Sequence, residues 1–366
     1  MVDPIFPIEG AIRPYEWGSR SAIQQLLGLE PDGRPAAELW FGAHAGDPSP
    51  ALGTTLDRLI SAHAEALLGA AVVAHWGERL PFLLKVLAAD KALSMQVHPN
   101  REQARAGYDA EEAAQPSVRN YADPNPKPEL LCALTPFEAL CGFRPVAETL
   151  AVLDDLAVTE LAFLADTLRQ PDGLRSAFTI LLRHDDPATL AAAVAARATA
   201  DGPLRATWIA AHDFPGDIGV VLTLLLNYVR LDPGEAIYLA AGNVHSYLRG
   251  MGVEIMANSD NVLRCGLTPK HIDVSELLKI TDFTELAEPR WPAHDGVFRV
   301  PVPEFALRPV HGVAEVGGEG PRIVLCTQGT ASVGELAIGP GHAAFLAAGE
   351  AVAVRTDGMA FVASIG

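Results

Sequence analysis

Cysteine, positive charge and long apolar runs are all scarce in this chain. The four cysteines, Cys132, Cys141, Cys265 and Cys326, include no Cys-x-x-Cys pair, which excludes the cysteine type of zinc site. Reduced, mostly buried thiols in a cytoplasmic protein are expected. Lys and Arg number 27 against 45 Asp and Glu, a net charge of −18. Nucleic acid and anionic membranes attract basic surfaces, so neither suits this chain as a partner. A small anionic substrate is still allowed, because it needs only a few local cations. The most apolar stretch, around Val220 to Leu226, is too short to span a bilayer. The opening Met1-Val2-Asp3-Pro4 has no basic flank leading into an apolar run, so no secretory signal is expected. A Gly-rich phosphate loop of the Walker or dinucleotide kind is also missing, which argues against a nucleotide enzyme.

The 366 residues suit two or three domains. Up to about Pro145 short apolar runs alternate with Gly, Pro and Asn, and Ala36–Gly42 and Pro81–Leu87 read as strands. Leu56 to Trp76, rich in Ala and Leu, reads as helical. From 146 to 221 Ala, Leu, Asp and Arg dominate and apolar residues recur at helical spacing, as in Leu150, Leu153 and Leu156. This reads as a helical insert between two β regions. Strand-and-turn texture returns from about 222 and contains a repeat. Pro233-Gly234 to Gly242 matches Pro340-Gly341 to Gly349, 107 residues later. A Pro-Gly turn, a strand and a closing Gly suit a jelly-roll corner. Only the first copy continues to a histidine, His245.

The chemistry-bearing pattern is Gln96-Val97-His98, then Lys127-Pro128-Glu129, then Asn243-Val244-His245. On a strand the side chains of a Gln-x-His triplet share one face. Two histidines, a glutamate and a glutamine can hold one divalent ion and leave it Lewis-acidic, with a position open. Lys85 interrupts the run Leu83-Leu84-Lys85-Val86-Leu87. Its ammonium therefore either faces water or has an anionic partner, because burying it alone is costly.

Taken in order, further segments carry a family resemblance: Tyr15–Gly18, Ala37–His44, Leu83–Leu87, Leu93–Asn100, Lys127–Glu129, Cys141–Pro145, Pro215–Gly219, Leu239–Tyr247 and Val253–Lys270. The chain resembles the type I mannose-6-phosphate isomerases, zinc enzymes of the cupin fold. The resemblance implies a mainly β fold with two cupin (jelly-roll) barrels and an α-helical domain. Residues 1–145, completed by strands from about 222–290, would form the catalytic barrel. Residues 146–221 would be the helical insert. Residues 291–366 would be the remainder of a second barrel lacking metal ligands. One Zn2+ per chain would be bound by Gln96, His98, Glu129 and His245. Arg264, Lys127 and Glu254 would be catalytic, and Ser94, Lys85, Arg144 and Lys270 would hold the phosphate of a phosphosugar. A cytoplasmic monomer is expected.

One departure stands out. The family commonly has a histidine where this chain has Pro126, and proline can be neither acid nor base. Interconverting an aldose and a ketose requires ring opening, proton transfer from C2 to C1 through an enediol, and stabilisation of charge on two oxygens. Arg264 suits the last task and Glu254 the proton transfer. Two other readings keep the barrel and change the role: an iron-dependent cupin oxygenase, and a sugar-binding cupin without turnover.

Overall fold

The structure, a computed structural model, describes residues 2–366. Among these residues it is sheet-rich, with a ten-stranded sheet, an eight-stranded sheet, a small two-stranded ribbon and twelve α-helices. The ten-stranded sheet takes strands from both sides of the helical region. Phe82–Ala89 lies between Glu38–Phe41 and the long strand His245–Ala257, antiparallel to both. His245–Ala257 also pairs with Met95–Val97, Glu129–Ala133 and Phe137–Phe143, so it touches most of the segments that carry the motif.

Every residue of Phe82–Ala89 is buried. Alternation explains how both faces are used. Leu84, Val86 and Ala88 enter an apolar core that also holds Ile323, Leu325, Phe345 and Phe361 of the eight-stranded sheet. Leu83 and Leu87 point the other way, into separate clusters with Trp40 and Met256 and with Phe137 and Tyr247. Each fully buried Leu, Val or Phe contributes roughly 1.5–3 kcal/mol, so the two sheets hold each other through this strand.

The helical region begins with Val146–Leu156 and continues through Arg205–Asp213 to Gly219–Leu222. Its apolar stripe, including Leu153, Leu164, Phe178, Leu181 and Val194, packs with Met95, Val97, Val244 and Leu263 from the sheet. Leu56 to Trp76 is helical but broken into Leu56–Ala62, Ala64–Leu68 and Ala70–Trp76. The second break falls at Gly69, whose φ of 84° no helix accepts.

The two repeat copies form strands in different sheets. Ala236–Leu239 belongs to the ten-stranded sheet and Ala343–Leu346 to the eight-stranded one. Each is bracketed by left-handed glycines, Gly234 and Gly242 in the first and Gly341 and Gly349 in the second. The shared turn chemistry is therefore a shared backbone conformation. Among the described residues, no helix is long and apolar enough to cross a membrane.

Candidate metal centre and active site

Strand register brings the candidate ligands together. Gln96 stands opposite His245 on one side and opposite Arg264 on the other. Directly paired residues share a sheet face, so the three side chains form one row. His98 follows two residues after Gln96 on the same face. Glu129 begins its own strand opposite Leu239 and Met256. His98 Nε2 lies 3.4 Å from Glu129 Oε1, and His245 Nε2 lies 3.5 Å from Glu129 Oε2. The Gln96 amide reaches the same point, 3.2 Å from His245 Nε2.

Second contacts fix the tautomers. His98 Nδ1 donates to the carbonyl of Asn261 at 2.7 Å, and His245 Nδ1 donates to the carbonyl of Asn243 at 3.0 Å. Each ring therefore turns a bare Nε2 lone pair inward, the arrangement expected of histidines that bind a metal. His98 Nε2 and Glu129 Oε2 are fully buried and have no hydrogen-bond partner. Buried polar atoms are rarely left so, and two on one focus fit a cation between them. Burial, helped by the nearby Lys127 charge, pushes the His98 pKa down to about 4, so the ring stays neutral and able to ligate. Burial opposes ionisation of Glu129, but Lys127 and the imidazoles outweigh it and hold its pKa well below the usual carboxylate range. The donor set, two imidazoles, a carboxylate and a carboxamide, fits zinc with a position left open.

The chain around His98 is tied down. Its carbonyl accepts from the Gly242 amide at 2.9 Å. Two residues on, Asn100 caps the Arg101–Ala114 helix through a reciprocal bond pair with Gln103. Asn261 is the hub. Its side chain accepts from the Ala122 amide and donates to the carbonyls of Asp123 and Asn125. The loop before Glu129 and the loop after the long strand are thus held as one piece.

Gln96, of the four candidate ligands, lines a cavity of about 930 Å³. Lys85, Ser94, Gln96, Lys127, Arg264 and Lys270 all line it. Arg264 is half-buried and, among the described residues, has no carboxylate partner; burial lowers its pKa, yet a guanidinium remains charged. Lys127 rests against Glu129.

Three expected residues are placed differently from a simple reading. Lys85 lines the cavity, but its ammonium is already committed. It donates to Glu254 Oε2 at 3.1 Å and lies 3.4 Å from Glu38 Oε1. Burial alone would lower its pKa, but the two carboxylates override this and raise it. Lys85 is therefore anchored by protein anions, and a role as a free phosphate ligand finds no support in its position. Arg144 does not line the cavity. It follows Phe137–Phe143 at the turn into the helical region, where its amide donates to Leu225. Glu254 is buried behind Lys85 and does not line the cavity either. Its pKa is raised, chiefly by burial, with Lys85 opposing. Pro126, for its part, lines a separate small crevice with Trp76, Arg101 and Glu304. In this chain residue 126 faces away from the main cavity.

Sequence reasoning passed over Glu38, Trp40 and Tyr247. Trp40 Nε1 donates to Glu38 Oε2 at 2.7 Å, and Tyr247 donates to Glu254 Oε1 at 2.6 Å. Trp40, Lys85 and Glu254 stand directly opposite one another on three adjacent strands. The available signal was a lone carboxylate at Glu38 inside an apolar run, the mirror of Lys85 in its own.

Residues 5–146 match the family described as phosphomannose isomerase type I, catalytic domain. The chain is 38% identical over 379 aligned positions to the mannose-6-phosphate isomerase of Escherichia coli, covering 95% of this chain and 96% of that protein. It belongs to the type I phosphomannose isomerases. The solved structures agree. A mutant phosphomannose isomerase from Salmonella typhimurium superposes with a TM-score of 0.92 at 34% identity, covering 99% of this chain and all of that one. A zinc-bound mannose 6-phosphate isomerase superposes with a TM-score of 0.91 at 33% identity, again over 99% of this chain and all of that one. This chain carries, in His98, Glu129 and His245, a buried cluster that could hold a metal ion.

Proposed function

We infer that this protein interconverts mannose 6-phosphate and fructose 6-phosphate with one zinc ion. The observation that carries this is the convergence of Gln96, His98, Glu129 and His245, with two buried donor atoms unpaired, where Gln96 opens onto a cavity large enough for a phosphosugar. When bound, zinc supplies Lewis acidity toward carbonyl and hydroxyl oxygens.

The chain's own residues supply the rest. Arg264, beside Gln96 in the same row, directs a fixed fork of N–H donors at charge developing on the reacting oxygens. Lys127 offers a second cation, held beside Glu129. Glu38, Lys85 and Glu254 form a unit in which two carboxylates share one ammonium. That unit carries one negative charge in excess, so it can take up a proton without stranding a charge. Its acceptor is Glu254, whose proton affinity burial raises, while Lys85 keeps Glu38 as partner. We assign the C2-to-C1 proton transfer to this unit, reached from the cavity through Lys85, the ammonium on the cavity wall that Glu254 holds.

Six cations line the cavity. Lys85, Arg119 and Lys127 are paired with carboxylates. Lys91, Arg264 and Lys270 have no carboxylate within 4.0 Å among the described residues. Ser94 lines the same cavity, and with Arg264 given to the reacting oxygens we assign the substrate phosphate to Ser94, Lys91 and Lys270. The domain layout we favour is two cupin barrels built on the two sheets, joined by the helical region, with zinc in the first. Four buried, unpaired thiols fit a cytoplasmic protein, and the large exposed apolar side chains, seven among the described residues and strewn along the chain, fit a monomer. Neither an oxygenase nor a binding-only role is favoured for a chain that matches an isomerase over 95% of its length.

The test is a coupled assay for fructose 6-phosphate from mannose 6-phosphate, with stoichiometric zinc and then with chelator. Turnover that the chelator abolishes supports the reading, and no turnover from zinc-loaded, folded protein ends it.

A further inference from the structure

The segment Pro215-Gly216-Asp217-Ile218-Gly219 takes no part in the chemistry above, yet it is built into the frame of the cavity. It joins the Arg205–Asp213 helix to the Gly219–Leu222 helix. The Asp217 carboxylate accepts three backbone amides. Oδ1 accepts from Gly219 at 2.6 Å and from Leu267 at 2.7 Å, and Oδ2 accepts from Thr268 at 3.1 Å. The last two belong to the loop that ends at Lys270 and lines the cavity. Charge-assisted bonds of this kind are the stronger ones.

Two further observations show that this loop is held and does not merely rest there. Leu267 has a φ of 52°, a left-handed conformation that a leucine keeps only when its surroundings impose it. The two segments also meet backbone to backbone. A Cβ on Gly219 would lie 2.6 Å from the Leu267 nitrogen, and one on Gly266 would lie 2.7 Å from the Gly219 Cα. Thr268 then passes the constraint on, since its Oγ1 accepts from the Lys270 amide at 3.1 Å.

Four residues earlier, Asp213 does the same for another lining segment, the one that leads to Ser94. Its Oδ2 accepts from the Ala92 amide at 2.7 Å, and both of its oxygens pair with Arg249. Ala92 lies two residues before Ser94, and Phe214, between the two aspartates, lines the cavity itself. The end of the helical region is therefore bonded both to the segment bearing Ser94 and to the segment bearing Lys270.

We propose that Asp217 is a positioning residue for the phosphate end of the substrate, holding the Leu267 and Thr268 amides so that the Thr268–Lys270 rim keeps its spacing from Ser94. The helical region then acts as the frame of a phosphate-monoester site. This rests on the isomerase reading, but the two fail separately. An inactive, zinc-loaded native protein overturns that reading, whereas an active native protein with indifferent Asp217 variants overturns only this inference.

The experiment compares native protein, Asp217→Ala and Asp217→Asn, all zinc-loaded. It measures kcat and KM for mannose 6-phosphate, competitive inhibition by inorganic phosphate, and amide exchange over residues 264–272. A group that acts on binding raises KM with little change in kcat, so Asp217→Ala is expected to raise KM and the phosphate inhibition constant together, by about tenfold, with kcat within about threefold. Asp217→Asn keeps the Oδ1 acceptor and loses only the bond from Thr268, so a rise of about threefold is expected, with faster exchange at Thr268. A lower Tm with both constants unchanged assigns Asp217 to stability alone and overturns the proposal. If Asp217→Ala does not fold, Asp217→Asn decides: exposed Thr268 exchange with an unchanged KM overturns the proposal, and the two moving together supports it.

Discussion

Replacing Lys85 by methionine tests the electrostatic design of the site. The side chain is 7% exposed and stands between Glu38 and Glu254, themselves 8% and 3% exposed. Methionine nearly matches the volume of the stem but removes the charge. Two carboxylates are then buried with no cation between them, and breaking a buried pair in this way costs about 3–5 kcal/mol. At roughly 2 °C per kcal/mol for a large domain, Tm should fall by at least about 6 °C. The loss should also depend on pH. The folded-state pKa of Glu254 is already raised, mainly by burial, and Lys85 is the chief influence opposing that rise. Without Lys85 the native state binds the Glu254 proton more tightly still. A carboxyl whose folded pKa is raised contributes stability at low pH and loses it as pH climbs through the folded value. The variant should therefore be penalised more at pH 8 than at pH 5. Thermal scans of zinc-loaded native protein and variant at both pH values measure this. A drop of less than about 2 °C, or an equal drop at the two pH values, would refute the paired-charge account.

Other expectations concern the metal and the chemistry. His98→Ala and His245→Ala should lose zinc and activity together, checked by metal analysis alongside the coupled assay. Arg264→Ala should keep one zinc per chain while kcat falls by about 10²–10³-fold, the usual range for a lost charge-stabilising donor; normal turnover would remove Arg264 from the reaction. Glu254→Gln should lower kcat by about 10²–10⁴-fold with zinc retained, as for a lost proton-transfer group. In the chelated protein, His98 with its pKa near 4 resists a proton that the unfolded chain accepts near 6.5. Urea midpoints should therefore fall as pH drops through that interval, and a flat profile would contradict the burial of its ring.

The Gln96–His98 half of the cluster could be read along the chain because its geometry is local, whereas Glu129 and His245 join it only through strand register. Gln96 and His98 sit two apart on a strand edge, and that spacing alone sets them on one face. Lys85 raised a well-posed question, water or anion, but its answer lay in Glu38 and Glu254, 47 and 169 residues away. Only strand register decides such a pairing, and register is a property of the assembled sheet. The direction of Pro126 was hidden for the same reason. Its neighbour Lys127 lines the cavity, while position 126 turns to a crevice closed by Arg101 and Glu304. The helical stretch from 56 to 76 was recognisable by composition. Its break at Gly69 was not, because a Cβ there would strike the carbonyl of Glu319, in the turn between Ala306–Val316 and Arg322–Gln328.

The strand Phe82–Ala89 shows one cavity-facing ammonium to the reaction and three aliphatic side chains to the far sheet. The half of the molecule without metal ligands is therefore the backing plate of the half that has them. A chain cut before Ala306 would strip from Leu84, Val86 and Ala88 the part of their core built by Ile323, Leu325, Phe345 and Phe361. Damage deep in that remote sheet, at Phe345 or Phe361 for instance, should consequently be felt as poor chemistry long before the protein comes apart.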